Sequence, residues 1–160
     1  MSNEVEVGIR SAEPIDASAM LALLKQLQSE SDFFELDVEI DEVTPQSEAQ
    51  QIELLNGSGT NIILLATADE NLIGIGTVQQ INDDTGEIGI AVLNDFQNIG
   101  LGTMLVDELI NWQTNYSKLT KLNLEVKKDN RPAIHIYHKL GFKNQSETKQ
   151  TIWMKKESED

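Results

Sequence analysis

The chain has 160 residues, with 27 Asp and Glu against 12 Lys and Arg, giving a net charge of −15. That balance argues against nucleic acid or an anionic membrane as partner and suits a cationic one. There is no cysteine, which excludes a disulfide framework, a thiolate nucleophile and a cysteine metal site. No apolar run is long enough to span a bilayer, and the first residues lack the apolar core of a secretory signal. A cytoplasmic address is therefore the default, and the length fits one globular domain with a real core.

Residues 4–10 alternate Val5, Val7 and Ile9 with polar residues and predict a first strand. Pro14 ends it, Asp16 is placed to cap the next helix, and Met20, Leu23, Leu24 and Leu27 mark an amphipathic helix ending near Ser29. Residues 30–43 are irregular and strongly acidic, with Phe33, Phe34 and Leu36 among Asp32, Glu35 and Asp37. Thr44-Pro45 predicts a cap followed by proline at the first helical position, and that helix stops at residues 56–59. Residues 61–68, 72–81 and 87–93 read as three strands joined by short turns, an antiparallel meander. A long helix follows over residues 100–116, with apolar positions at Leu101, Met104, Leu105, Leu109 and Trp112.

Residues 119–126 form the next strand, with Leu122, Leu124 and Val126 on one face and Asn123 and Glu125 on the other. The intervening helix allows this strand to run parallel to its predecessor. Asn130 can cap a further helix that tolerates Pro132 in its first turn, and Gly141 is a natural stop. Residues 142–143 and 150–154 close the chain as a hairpin. Residues 1–155 read as one domain, and the charged end, Lys155 onward, as a frayed tail.

Two stretches carry chemistry. Between the strand at 87–93 and the long helix lies Gln97-Asn98-Ile99-Gly100-Leu101-Gly102. Its glycines let a ligand approach the backbone, and the first N–H groups of a helix have no partner within it. Such a terminus favours an anion by roughly 0.3–1 kcal/mol, up to about 2 when partly buried. A Walker A loop would need Gly-Lys-Ser/Thr, but Gly102 is followed by Thr103-Met104; the dinucleotide fingerprint would need a third glycine where Leu105 stands. The second stretch is Asn130-Arg131-Pro132-Ala133-Ile134-His135-Ile136-Tyr137-His138-Lys139-Leu140-Gly141-Phe142.

The first stretch resembles the Gln/Arg-x-x-Gly-x-Gly/Ala pyrophosphate loop of the GNAT superfamily of N-acetyltransferases. The second resembles its Asn-x-x-Ala-x-x-x-Tyr-x-x-x-Gly-Phe pattern at every fixed position. The resemblance implies an α/β (α+β) fold with a mixed, mostly antiparallel sheet of six to seven strands. That sheet is splayed between its fourth and fifth strands and accompanied by about four helices. It also implies acetyl-CoA as co-substrate, lying in the splay. Its pantetheine arm would pair with the backbone of Ile90, Ala91 and Val92, and its pyrophosphate would meet the loop of Gln97, Asn98, Ile99, Gly100, Leu101, Gly102 and Thr103. Asn130 would hydrogen-bond the pantetheine arm. Many relatives carry a cation in the loop, where this chain has Asn98 and Ile99, so the backbone donors act with less charge assistance.

By the same resemblance the reaction is direct acetyl transfer to a primary amine, on a small molecule or a peptide, with no metal. Tyr137 matches the tyrosine that faces the CoA sulfur and would be the general acid. Glu125 matches a glutamate that some relatives use as general base, with Glu87 or a water chain in reserve. His135 and His138 sit three apart on one helix without a clear third ligand. Asp32, Glu35 and Asp37 would line the approach of a cationic amine acceptor. The acceptor's identity and the oligomeric state, a homodimer included, stay open. So do two other classes of function, a non-catalytic acyl-CoA-binding module and an acidic interaction module without a ligand.

Overall fold

The computed structural model describes residues 5–30, 39–97 and 99–158. β1 (Val7–Ser11) leads through a 3-10 turn (Pro14–Asp16) into α1 (Ala17–Glu30), and α2 (Pro45–Asn56) follows. The meander comprises β2 (Ile62–Ala68), β3 (Asn71–Gln80) and β4 (Thr85–Val92). After it come α3 (Leu101–Tyr116), β5 (Lys121–Lys127), α4 (Arg131–Lys139), β6 (Lys143–Glu147) and β7 (Thr151–Glu157). The strands form one sheet in the order β1-β2-β3-β4-β5-β7-β6. Every neighbouring pair is antiparallel except β4 and β5, which are parallel. The expected mixed, mostly antiparallel sheet with four α-helices is what the described residues form.

Residues 62–66 of β2 and 73–76 of β3 are buried without alternation, so helices cover both faces of the sheet centre. α1 and α2 pack on each other and on β3 and β2, while α3 lies along β2, β3 and β4. The α3 contact is close because β3 has glycine beneath it. A Cβ on Gly76 would stand 3.2 Å from Leu109 Cδ1 and 3.4 Å from Leu105 Cδ2. Leu101, Leu105 and Leu109 are buried as expected, and Val106 joins them. Fully burying each such side chain stabilises by about 1.5–3 kcal/mol. Met104, counted among the apolar positions of this helix, instead faces outward and is 45% exposed. No helix among the described residues is long and apolar enough to cross a membrane.

Three expectations about local structure change. Asp16 does stand just before α1, but its carboxylate turns backward, accepting from Glu13 N at 2.8 Å and from both Arg10 guanidinium nitrogens at 2.8 Å. A cationic fork on β1 outcompetes the helix amides for it. The Arg10 hydrogen bonds hold the Asp16 carboxyl below its ordinary range. Second, the charged end of the chain is not frayed through residue 157. Lys155, Lys156 and Glu157 belong to β7 and pair with Asn123, Leu122 and Lys121 of β5. Third, β4 begins at Thr85, so Gly86 lies in the strand rather than the turn. A Cβ there would overlap Val78 and come within 2.8 Å of Leu119 Cδ1. Residues 31–38, which include Asp32, Phe33, Phe34, Glu35, Leu36 and Asp37, lie outside the described residues.

Candidate active site

The parallel ladder between β4 and β5 is short. It holds Thr85↔Lys121, Gly86↔Leu122 and Glu87↔Asn123, then ends. Both strands continue, β4 to Val92 against β3 and β5 to Lys127 against β7. The sheet therefore parts between its fourth and fifth strands.

Hydrogen-bond parity decides which groups face the opening. Ile81 N donates to Thr85 O and Leu93 N to Ile73 O, each at 2.9 Å. Main-chain groups alternate sides along an antiparallel pair, so the odd-numbered residues of β4 exchange bonds with β3. The even-numbered ones, Ile88, Ile90 and Val92, turn the other way. On β5, Lys128 N donates to Gln150 O and Ser158 N to Thr120 O, so even-numbered residues direct their backbone to β7 and the main chain of Glu125 turns to the opening, while its carboxylate is held by Thr151 of β7. Of the three residues expected to pair with an extended ligand arm, Ile90 and Val92 direct their backbone into the gap. Ala91 spends its backbone on Ile75. The Val92 carbonyl accepts from Gln97 Nε2 at 3.0 Å, leaving the N–H of Ile90, the carbonyl of Ile90 and the N–H of Val92 on that edge. Gln97 thus ties the loop to the strand end through its side chain.

At the end of the gap the chain turns through Asn94–Phe96 and enters α3. Asn98 lies outside the described residues. Ile99 is 56% exposed. Gly100 is the N-cap with φ +86°, a conformation natural to glycine, and it has no side chain to satisfy the helix amides. The starts of α2 and α4 differ. Thr44 Oγ1 accepts from Ser47 N at 3.0 Å on α2, and Asn130 Oδ1 accepts from Ala133 N at 3.4 Å on α4. The N–H groups of Leu101, Gly102 and Thr103, ahead of the first helical bond from Met104 N to Gly100 O, have no acceptor within the helix. They form an uncapped set of donors at the positive end of α3, suited to a diphosphate. Leu101 itself is buried and has only its backbone to offer. At Gly102 a Cβ would stand 3.1 Å from Ile136 Cδ1 and 3.8 Å from Ile90 Cδ1, so α3, α4 and β4 converge there.

α4 carries Tyr137, which is buried and meets Phe142 edge-on, with ring centroids 5.8 Å apart. Burial pushes its hydroxyl well above the ordinary phenol range, so it stays protonated at neutral pH. Asn130, the cap of α4, keeps its amide N–H pair for another partner after its oxygen is used. Glu125 is exposed on β5 and accepts from Thr151 Oγ1 of β7 at 2.8 Å. Glu87 lies beside Asn123 at the last rung of the parallel ladder. The Asn123 Oδ1 atom is buried without a hydrogen-bond partner among the described residues. His138 Nε2 lies 2.8 Å from Asn144 Oδ1, and the described residues contain no group of three His, Cys, Asp or Glu able to hold a metal.

Sequence reasoning did not identify the Gly102–Ile136 contact, which depends on α4 docking after β5. It also missed Gln113, buried on α3, whose Nε2 donates to Leu119 O and to Ser158 Oγ at 2.6 Å. A glutamine on the apolar stripe of a helix was the available signal for that tie.

A parted parallel strand pair with a helix start lacking a side-chain cap at its end offers strand-like backbone pairing to an extended ligand and main-chain donors to an anion. The sequence model described as the Acetyltransferase (GNAT) family matches residues 22–142, and the chain belongs to that family. The chain is similar to the ribosomal protein bS18-alanine N-acetyltransferase of Salmonella typhimurium, at 39% identity over 79 residues. That match covers 49% of this chain and 53% of the relative, so the chain spans about half the relative's length. It is also similar to the L-amino acid N-acetyltransferase of Escherichia coli, at 28% identity over 141 residues, covering 86% of this chain and 83% of that protein. Among solved structures, the GNAT-family acetyltransferase from Streptococcus pneumoniae superposes with a TM-score of 0.86 at 28% identity. That superposition covers 96% of this chain and all of the other.

Proposed function

We propose that this chain is an acetyl-CoA-dependent N-acetyltransferase that passes the acetyl group directly to a primary amine. The observation that carries the proposal is the gap itself, with β4 backbone along one edge that finds no partner strand among the described residues and three α3 amides at its end that have no acceptor within the helix. When bound, acetyl-CoA supplies an activated acyl group on a thiol leaving group. The chain's own residues do the rest. Gly100 to Thr103 bind the diphosphate through backbone N–H groups. The backbone of Ile90 and Val92 aligns an extended arm as an added strand would, and an N–H on that edge can stabilise developing negative charge on the acyl oxygen. Asn130 donates to the arm from its amide nitrogen.

Two proton movements remain. An α-amino group at a peptide end, with pKa about 7.7–8.0, is mostly protonated at neutral pH, and exposing its lone pair costs about 1 kcal/mol. Glu125 is the base: it belongs to β5, the strand that borders the opening, and its carboxylate keeps one oxygen for the amine while the other accepts from Thr151. Tyr137, kept protonated by burial, is the acid that meets the departing sulfur.

The acceptor is an α-amino group, either of a free amino acid or at the end of a peptide. The names of the Escherichia coli and Salmonella relatives support that class. Residues 1–117 hold 21 acids and only 2 cations, which suits a positively charged acceptor. Incubation with acetyl-CoA and an amine panel, following free thiol and product mass, tests the proposal. Thiol release that depends on the amine and a product 42 Da heavier support it. Tight acetyl-CoA binding with no turnover for any amine would instead make the chain a binding module.

A further inference from the structure

No Lys or Arg lies between Lys25 and Lys118. The loop after β4 and the whole of α3 are thus without a cation, and α3 carries Asp107 and Glu108. A polyanion seated at the first turn of α3 must find positive charge on another element. α4 is the element packed against that turn, through Ile136 over Gly102.

At about 100° per residue, the positions of α4 sort cleanly around Ile136. Leu140, Ala133, Tyr137 and Ile134 fall about 40°, 60°, 100° and 160° to one side, and with Ile136 these are its buried or half-buried residues. Lys139, His135 and Arg131 fall about 60°, 100° and 140° to the other side, and all three are exposed. Spaced four apart, they make one stripe about 12 Å long. Among the described residues none of the three forms an ion pair. His138, off the stripe, is engaged with Asn144.

We propose that Arg131, His135 and Lys139 form an anion-binding wall beside the α3 loop, which takes the 3′-phosphate of the coenzyme's ribose and selects it over 3′-dephospho forms. The inference rests on the cofactor assignment above. The amides of Leu101 to Thr103 serve the diphosphate, which leaves the ribose phosphate, one sugar away, as the group still needing a partner. A guanidinium fork, an ammonium and an imidazole N–H supply donors of matching charge and geometry.

Calorimetric titration of CoA and of 3′-dephospho-CoA tests this without turnover. Wild type should bind CoA at least about tenfold tighter than the dephospho form, the factor one charge-assisted hydrogen bond carries. The Arg131→Gln/Lys139→Gln double variant, checked by circular dichroism, should bind the two forms alike, with its affinity for dephospho-CoA unchanged from wild type. Equal affinities in wild type, or an undiminished preference in the folded double variant, overturn the wall. If the double variant does not fold, the wild-type comparison still decides. Failure of wild type to bind either form would remove the cofactor assignment itself, a distinguishable result.

Discussion

Replacing Tyr137 by Phe removes one oxygen and tests the assignment of the acid. The ring is buried against Phe142, and phenylalanine keeps that contact. The fold and the coenzyme affinity should therefore survive, with thermal stability within about 1 kcal/mol of wild type. The effect on turnover follows from the acidity of the group. Burial raises the hydroxyl above its ordinary value, whereas a thiol leaves with pKa near 8.5, so complete transfer to a free thiolate is uphill by at least about 2 kcal/mol. Tyr137 thus acts chiefly by donating a hydrogen bond that strengthens as charge develops on sulfur. The loss should fall near the lower end of the range for general acids, about 10²-fold in kcat, or about 2.7 kcal/mol. Free thiol measured at saturating acetyl-CoA and amine reads this directly. Equal kcat for the two proteins, or a loss confined to the KM for acetyl-CoA, would refute the acid role.

Glu125→Gln should lower kcat by about 10²- to 10⁴-fold while leaving acetyl-CoA affinity unchanged; an unaltered kcat assigns the base to another group. Gly100→Ala introduces a side chain into open space but at φ +86°, so stability should fall by about 1–2 kcal/mol and CoA affinity should fall with it as the helix start shifts, which denaturation and titration would show together. Asp16→Asn should cost about 1 kcal/mol at pH 7, discounted because the Arg10 partner side chain is 46% exposed. Since the Asp16 carboxyl is held below its ordinary value, its contribution is fully present above about pH 4. It is lost as pH falls through the depressed folded-state value, so the stability gap between wild type and variant should close in acid.

The order of strands and helices was legible because local patterns determine it. Alternation at Val7 and Ile9, the Thr44-Pro45 cap and the Gly100-x-Gly102 loop each point to a single local structure. The loop and the Asn130–Phe142 stretch together revealed the family, and with it the parted sheet. What stayed hidden depends on contacts distant in sequence. Alternation along β4 tells which side chains share a face but not which neighbour claims the backbone. The assignment of Ala91 to Ile75 rather than to the gap could come only from the pairing with β3. Asp16 looked like a cap because its competitor, Arg10, sits on the preceding strand. Residues 155–157 looked like a tail because charged side chains at the end of a strand read the same as a solvated terminus. Pairing with β5 orders them.

The central claim is that backbone amides at the start of α3 hold the diphosphate of coenzyme A. Amide-resolved 15N NMR titration of the whole chain with CoA addresses it most directly. Large saturable shifts at Leu101, Gly102 and Thr103, accompanied by Ile90 and Val92 but not by the amides of β1, are the expected result. Shifts absent from the α3 start while CoA binds elsewhere would contradict it.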